Sequence, residues 1–270
     1  MLTNSQPLLE VDGLVVDFDH GKPSSHRALD GVSLSIREGE VLGLVGESGS
    51  GKTVLSHSIL GLLPRNGRVT SGSIRWQGRE LRGLSEKQLR PIRGKEIAMI
   101  FQDAQASLNP VYPVGRQIEW VLKLHRGILG DAAKAEVLRL FESVKLRDPH
   151  RVARSYAHEL SGGMCQRIMI ALALAGQPKL LIADEPTSAL DRLVQAEIIE
   201  LLASIHRQMG LSMLLITHDL SMASRLAEKI AVIKDGQIVE EGPARVIFSR
   251  ANHPYTKSLL AAAGFLNAAV

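Results

Sequence analysis

The tightest constraint on this chain is eight residues long. Gly46, Glu47, Ser48, Gly49, Ser50, Gly51, Lys52 and Thr53 meet the G-x-x-x-x-G-K-[ST] spacing at every fixed position. The run follows a short apolar segment, VLGLV, and precedes a helical pattern over 54–63 that stops at Pro64. A strand, a glycine turn and a helix in that order form a phosphate cradle. The glycines let backbone N–H groups turn inward around phosphate oxygens, and the helix start adds roughly half a positive charge. Lys52 then reaches the β- and γ-phosphates, and the Thr53 hydroxyl ligates Mg2+.

The rest of the pattern frames that turn. Residues 8–18 and 28–36 read as strands, as do 73–76 and 97–101. Residues 180–183 and 213–217 read as short buried strands. Helical patterns cover 193–209 and 220–228, and 230–233 with 237–240 form a hairpin around Asp235 and Gly236. Between about 103 and 175 the helical pattern dominates, broken by LNPVYPVG; residues 132–144 make an amphipathic helix with Asp131 as its expected cap. Strands alternating with helices predict a mainly parallel, doubly covered sheet with a helical insert.

Composition narrows the function classes. With 270 residues, 45% hydrophobic and 22% charged, the chain can bury a sizeable core as one large domain or two intimate ones. A formal charge of +4 suits polyanions or an anionic membrane surface without requiring either. The single cysteine, Cys165, leaves no disulfide within the chain and no cysteine metal cluster, which fits a reducing cytoplasm. The first residues do not read as a signal peptide, and nowhere do about 18 apolar residues run together. Work at a membrane is therefore expected from outside the lipid.

A second set of residues completes a nucleotide site. The apolar run LLIA ends in Asp184 and Glu185, at the strand end where open α/β sheets bind ligands. Asp184 is placed to hold the Mg2+ shell and Glu185 to polarise a water; the alternative is that the pair caps the turn DEPTS. His218 closes the run MLLIT and points to a phosphate-sensing role. Gln102 could ligate Mg2+ or position water. Phe18 could stack on adenine or belong to the core. LSGGM, residues 160–164, opens another helix with a serine and two glycines but carries no lysine at the cradle spacing.

GESGSGKT, Gln102, LSGGM, LLIADEP, SALD and His218, in this order, resemble the ATP-binding subunits of ABC transporters. The resemblance runs from residue 8 to about 242. It implies an α/β fold: a P-loop NTPase, RecA-like core with an antiparallel β subdomain and an inserted α-helical subdomain. The chain, 1–270, would be one ABC ATP-binding domain, with the helical subdomain at about 103–175 and a C-terminal tail at about 245–270. Ser161, Gly162 and Gly163 would face the phosphate loop of a second subunit, so that two ATP molecules are clamped head to tail. Asp191, in SALD, would lie along that seam. Met164 departs from the usual glutamine, which weakens the case for a side-chain contact there but leaves the serine and glycine roles untouched.

The segments VTSGSIRWQGREL, FQDAQASLNPVYPVGRQI and NHPYTKSLL are similar to importer ATPases for peptides and nickel. The resemblance implies a translocase-coupled ATPase using ATP and Mg2+, with peptide, nickel or a metallophore as cargo. No iron–sulfur cluster is expected. Its partners would be an identical or homologous ATPase subunit, two membrane permeases and an extracytoplasmic binding protein. The location would be peripheral, on the cytoplasmic face of the inner or plasma membrane. A soluble complex such as the phosphonate carbon–phosphorus lyase machinery is the alternative. A nucleic-acid role is disfavoured by the single cassette, the absence of coiled-coil heptads and the modest basicity.

Overall fold

The computed structural model describes residues 6–19, 21 and 26–265. The chain divides into two compact units, Met1–Leu89 with Gly210–Val270, and Arg90–Met209.

In the first unit, β1 (Leu9–Phe18) is the middle of an antiparallel sheet. It pairs with β2 (His26–Ile36) on one side and β4 (Gly67–Trp76) on the other, and β5 (Arg79–Glu80) extends the edge. Alternation drives this: Leu9, Val11, Leu14 and Val16 are buried with Leu29, Val32, Leu34 and Ile36. The loop before β2 includes residues 20 and 22–25, which lie outside the described residues. β4 starts six residues before the sequence reading places it. Its first half, GRVTSG, has no apolar alternation, and pairing with β1 as far as Phe18↔Gly67 holds it extended.

The same unit carries β3 (Val41–Val45), buried at all five positions, between parallel partners β8 (Ser212–Thr217) and β9 (Lys229–Lys234). The last residue of β3, Val45, is level with Thr217 on one side and Val232 on the other. The turns after β3 and β8 therefore leave from adjacent strand ends. β10 (Gln237–Pro243) returns antiparallel to β9 through Asp235 and Gly236, both at positive φ (46° and 77°), as a two-residue turn of the I′ kind requires. The helix after the glycine loop spans Lys52–Leu60, not 54–63: Gly61, at φ 62°, is the left-handed C-cap that ends it.

The second unit holds the parallel pair β6 (Ile97–Ile100) and β7 (Leu180–Asp184), with Ile97 opposite Leu180 and Ile100 opposite Ala183. Its helices are Ala104–Ser107, Val114–Arg126, Gly130–Ser143, Pro149–Arg154, Gly162–Ala175 and Arg192–Met209. Phe141, Ile118, Leu122, Val152 and Ile168 are fully buried among them. Asp131 is not the cap. The N-cap position is Leu129, without a side-chain bond, and Asp131 sits in the first turn, paired with Lys134 at 2.9 Å. An acid there still faces the positive helix end, so the electrostatic signal was right and the position off by two.

Candidate nucleotide site and signature turn

Strand β3 stops where the loop begins, and neighbouring backbone explains the glycines. A Cβ on Gly46 would stand 2.2 Å from the Ile233 carbonyl oxygen of β9. One on Gly51, at φ 106°, would stand 2.8 Å from the Ala28 carbonyl of β2 and 2.7 Å from the Leu29 side chain. The Gly236 N–H of the β9–β10 turn donates to the Ser50 carbonyl at 3.0 Å, which fixes the far side of the loop. The cradle is thus pressed between the hairpin and β2, and only hydrogen fits at those two points.

Within the loop, the buried Lys52 ammonium donates to the carbonyls of Gly46 and Glu47, each at 2.8 Å. Gly51 is the N-cap of Lys52–Leu60 and contributes no side-chain bond to the first turn. Ser50 Oγ is buried and has no hydrogen-bond partner among the described residues. An orphaned hydroxyl, a lysine ammonium and a helix start form an all-donor set, which fits the oxygens of a nucleotide phosphate. Glu47, Ser48, Gly49 and Thr53 are exposed along the rim, leaving Thr53 accessible for a hard cation.

His218 follows Thr217 and is exposed. Register places it beside the loop: Thr217 pairs with Val45, so Gly46 and His218 each come next after neighbouring strand ends. Thr217 Oγ1 accepts the Asp219 N–H at 2.9 Å, and Asp219 Oδ1 caps the helix Leu220–Leu226 through Ser221 at 2.8 Å. These bonds fix the backbone on the C-terminal side of His218. Phe18 lies at the end of β1 in the antiparallel sheet, half-buried, with its ring edge against Gly67, where a Cβ would be 2.8 Å away.

The other residues named from the sequence belong to the second unit. Asp184 ends β7 at 2% exposure, and Glu185 follows, buried, at φ +48°. A non-glycine residue in the left-handed region is uncommon and costs on the order of 1–3 kcal/mol. The turn that enforces it is bonded through backbone: the Glu185 carbonyl accepts from the Ser188 N–H and Oγ, both at 3.2 Å. Gln102 is exposed just beyond β6.

Ser161 is the N-cap of Gly162–Ala175, its Oγ accepting the Met164 N–H at 3.3 Å. The two glycines after it differ. A Cβ on Gly163 would meet Val194 Cγ1 at 2.7 Å, so that glycine is needed for packing against the helix Arg192–Met209. A Cβ on Gly162 would meet only Leu190 Cδ2, at an ordinary 3.5 Å. Among the described residues, nothing within 4 Å requires Gly162 to lack a side chain. The same contact brings LSGG beside SALD, where Asp191 Oδ1 caps the next helix through Leu193 at 3.0 Å and Val194 at 3.1 Å. The site residues named from the sequence do not include Tyr255, whose side-chain hydroxyl meets the Glu47 N–H of the loop 46–53. The segment HPYT was visible, but no local pattern reveals a bond across 208 positions.

A family model described as ABC transporter matches residues 29–188. The peptidoglycan transport ATP-binding protein YejF of Agrobacterium fabrum is 49% identical over 96% of the chain, which spans 48% of that longer protein. The dipeptide transport ATP-binding protein DppD of Escherichia coli is 48% identical over 94% of the chain and 78% of its own length. Among solved structures, the dimeric post-hydrolysis form of the ATP-binding cassette MJ0796, bound to ADP and Pi, aligns with a TM-score of 0.79 at 29% identity, over 88% of this chain and 99% of that one. A glycine loop held from both sides, an acid pair at a buried strand end, a serine-capped signature turn and these likenesses lead to one conclusion: the chain belongs to the ABC transporter family, as an ATP-binding cassette.

Proposed function

We propose that the chain binds and hydrolyses ATP as the ATPase subunit of an ABC importer whose cargo is peptide-like. The observation that carries the ATP reading is the loop 46–53, with backbone at two glycines and an unbonded buried Ser50 hydroxyl. The names of YejF and DppD, peptidoglycan and dipeptide transport, favour peptide cargo over nickel or a metallophore and favour import over a soluble lyase complex.

Each side chain has a role that its chemistry supports. Lys52 neutralises charge on the terminal phosphates, and the loop N–H groups and Ser50 orient them. Thr53, Gln102 and Asp184 would hold Mg2+. When bound, that ion offsets charge on the phosphate oxygens. Glu185 takes the proton of the attacking water, and His218 contacts the γ-phosphate oxygen. Ser161, Gly162 and Gly163 donate to the γ-phosphate on a partner cassette, with Asp191 along the seam, and Phe18 stacks on the base. Closure is driven by contacts present with ATP and lost after hydrolysis, because a ligand shifts an equilibrium only by its differential affinity.

The partners in this reading are a second ATPase subunit, identical or homologous, two permeases and an extracytoplasmic binding protein. No described helix is long and apolar enough to cross a membrane, and the proposed location is peripheral, at the cytoplasmic face. A cluster of exposed apolar side chains on the helical unit supports permease docking: Val111, Tyr112, Trp120 and Leu124, with Tyr112 and Trp120 edge to face at 4.7 Å. The test is Glu185→Gln in the assembled complex. Nucleotide binding is expected to persist while turnover falls by 10²–10⁴-fold, the range for loss of a general base. Turnover at the parent rate would remove Glu185 from the mechanism.

A further inference from the structure

The tail segment NHPYTKSLL is folded onto the phosphate loop by a chain of bonds. Glu240 in β10 accepts the backbone N–H groups of Asn252 at 2.7 Å and His253 at 3.1 Å. Burial alone would raise its carboxyl, but these bonds outweigh it and hold the group below the usual range, as an anion. His253 then caps the helix Pro254–Ala262, its Nδ1 accepting the Tyr255 N–H at 3.2 Å, with Pro254 in the first turn. Thr256 and Leu260, each 1% exposed, anchor the helix in the unit. Tyr255 is thereby delivered, 8% exposed, with the Lys234 ammonium 5.0 Å above its ring.

The Tyr255 hydroxyl accepts the Glu47 backbone N–H at 3.1 Å. Glu47 is the residue whose carbonyl accepts the Lys52 ammonium at 2.8 Å and the Ser50 N–H at 3.3 Å. One residue of the loop is thus held by the tail at its N–H, while its carbonyl positions the phosphate-binding lysine and serine. We propose that Tyr255 is a positioning residue of the nucleotide site, fixing Glu47 so that Lys52 and Ser50 stand ready for the phosphates. The proposal rests on the reading of 46–53 as the ATP loop. It assigns the tail helix a part in nucleotide affinity.

Tyr255→Phe tests this with little disturbance, since it keeps the buried ring and its contact with Lys234 and removes only the oxygen. The net loss of one hydrogen bond corresponds to roughly a 3- to 10-fold weaker interaction. The chain with Mg-ATP is expected to show a dissociation constant raised about that much, and the complex a raised KM with kcat nearly unchanged. Amide exchange should quicken at 46–51 and stay as in the parent across β3 and β8. Lys257→Ala, on the exposed side of the same helix, should change none of these. An unaltered affinity in Tyr255→Phe would overturn the proposal. So would a weakened affinity accompanied by faster exchange throughout the unit, which would make Tyr255 a packing residue only. Lys52→Ala separates the two layers: if it binds ATP as tightly as the parent, the reading of the loop itself is wrong.

Discussion

Gly162→Ala is the substitution in which fold and function part most sharply. Gly162 opens the helix Gly162–Ala175, where alanine is the better helix former by up to about 1 kcal/mol, less at the first position. The new methyl would meet only Leu190 Cδ2, at 3.5 Å, which needs no movement. The isolated chain should therefore melt at or slightly above the parent temperature. Function is another matter if a partner's γ-phosphate docks on this turn. Hydrogen bonds to its N–H groups require oxygens at about 2.7–3.2 Å, a range that a methyl on the approach side does not allow without displacement. Overpacking of this kind costs about 1–3 kcal/mol, a roughly 5- to 150-fold loss in closure of the pair. The assay is ATP-dependent dimerisation of a Glu185→Gln background by sedimentation, with thermal unfolding in parallel. A Gly162→Ala chain that melts like the parent and closes at the same ATP concentration would refute the proposed use of the turn.

Two predictions concern the helical unit. Glu136 accepts from Arg139 at 2.7 Å and from Arg126 at 2.6 Å; the Arg139 bond leads, burial opposes and Arg126 adds, and the carboxyl is lowered to about 2 from 4.5. A depressed folded-state value means that the stabilisation is complete above about pH 4.5 and is lost as pH falls toward 2. Allowing for solvent screening, it is worth about 1–2 kcal/mol, so melting of parent and Glu136→Gln should differ at pH 6 and converge near pH 2. Gly176→Ala would set a Cβ 1.8 Å from the Gly94 carbonyl, backbone against backbone, and should lower stability by about 3 kcal/mol in urea titration.

The sequence was most legible where one requirement dominated. β3, β7 and β8 are short, mostly apolar runs, and each forms a fully buried strand. The Asp235–Gly236 turn declared its own conformation. Boundaries were harder where tertiary pairing overrides pattern, as in the polar half of β4. The site residues could be named from spacing, but their reasons could not. That Gly46 is crowded by Ile233, that Gly163 serves packing while Gly162 does not, and that Glu185 sits at positive φ are facts of long-range contact. In the tail, His253 and Pro254 carry a helix-start signal of their own.

In the proposed closed pair, Ser161 of one cassette meets the lysine loop of another. Cross-linking measures this directly, because Cys165, the chain's one cysteine, is buried and leaves a clean background. One copy would carry Ser161→Cys and its mate, a second copy or the cognate ATPase subunit, a cysteine at the position of Ser48, both on Glu185→Gln chains. Mg-ATP should give a covalent dimer only when the two are mixed, and Mg-ADP little or none. A cross-link that forms equally without ATP, or none in a pair shown to be closed, would contradict the account.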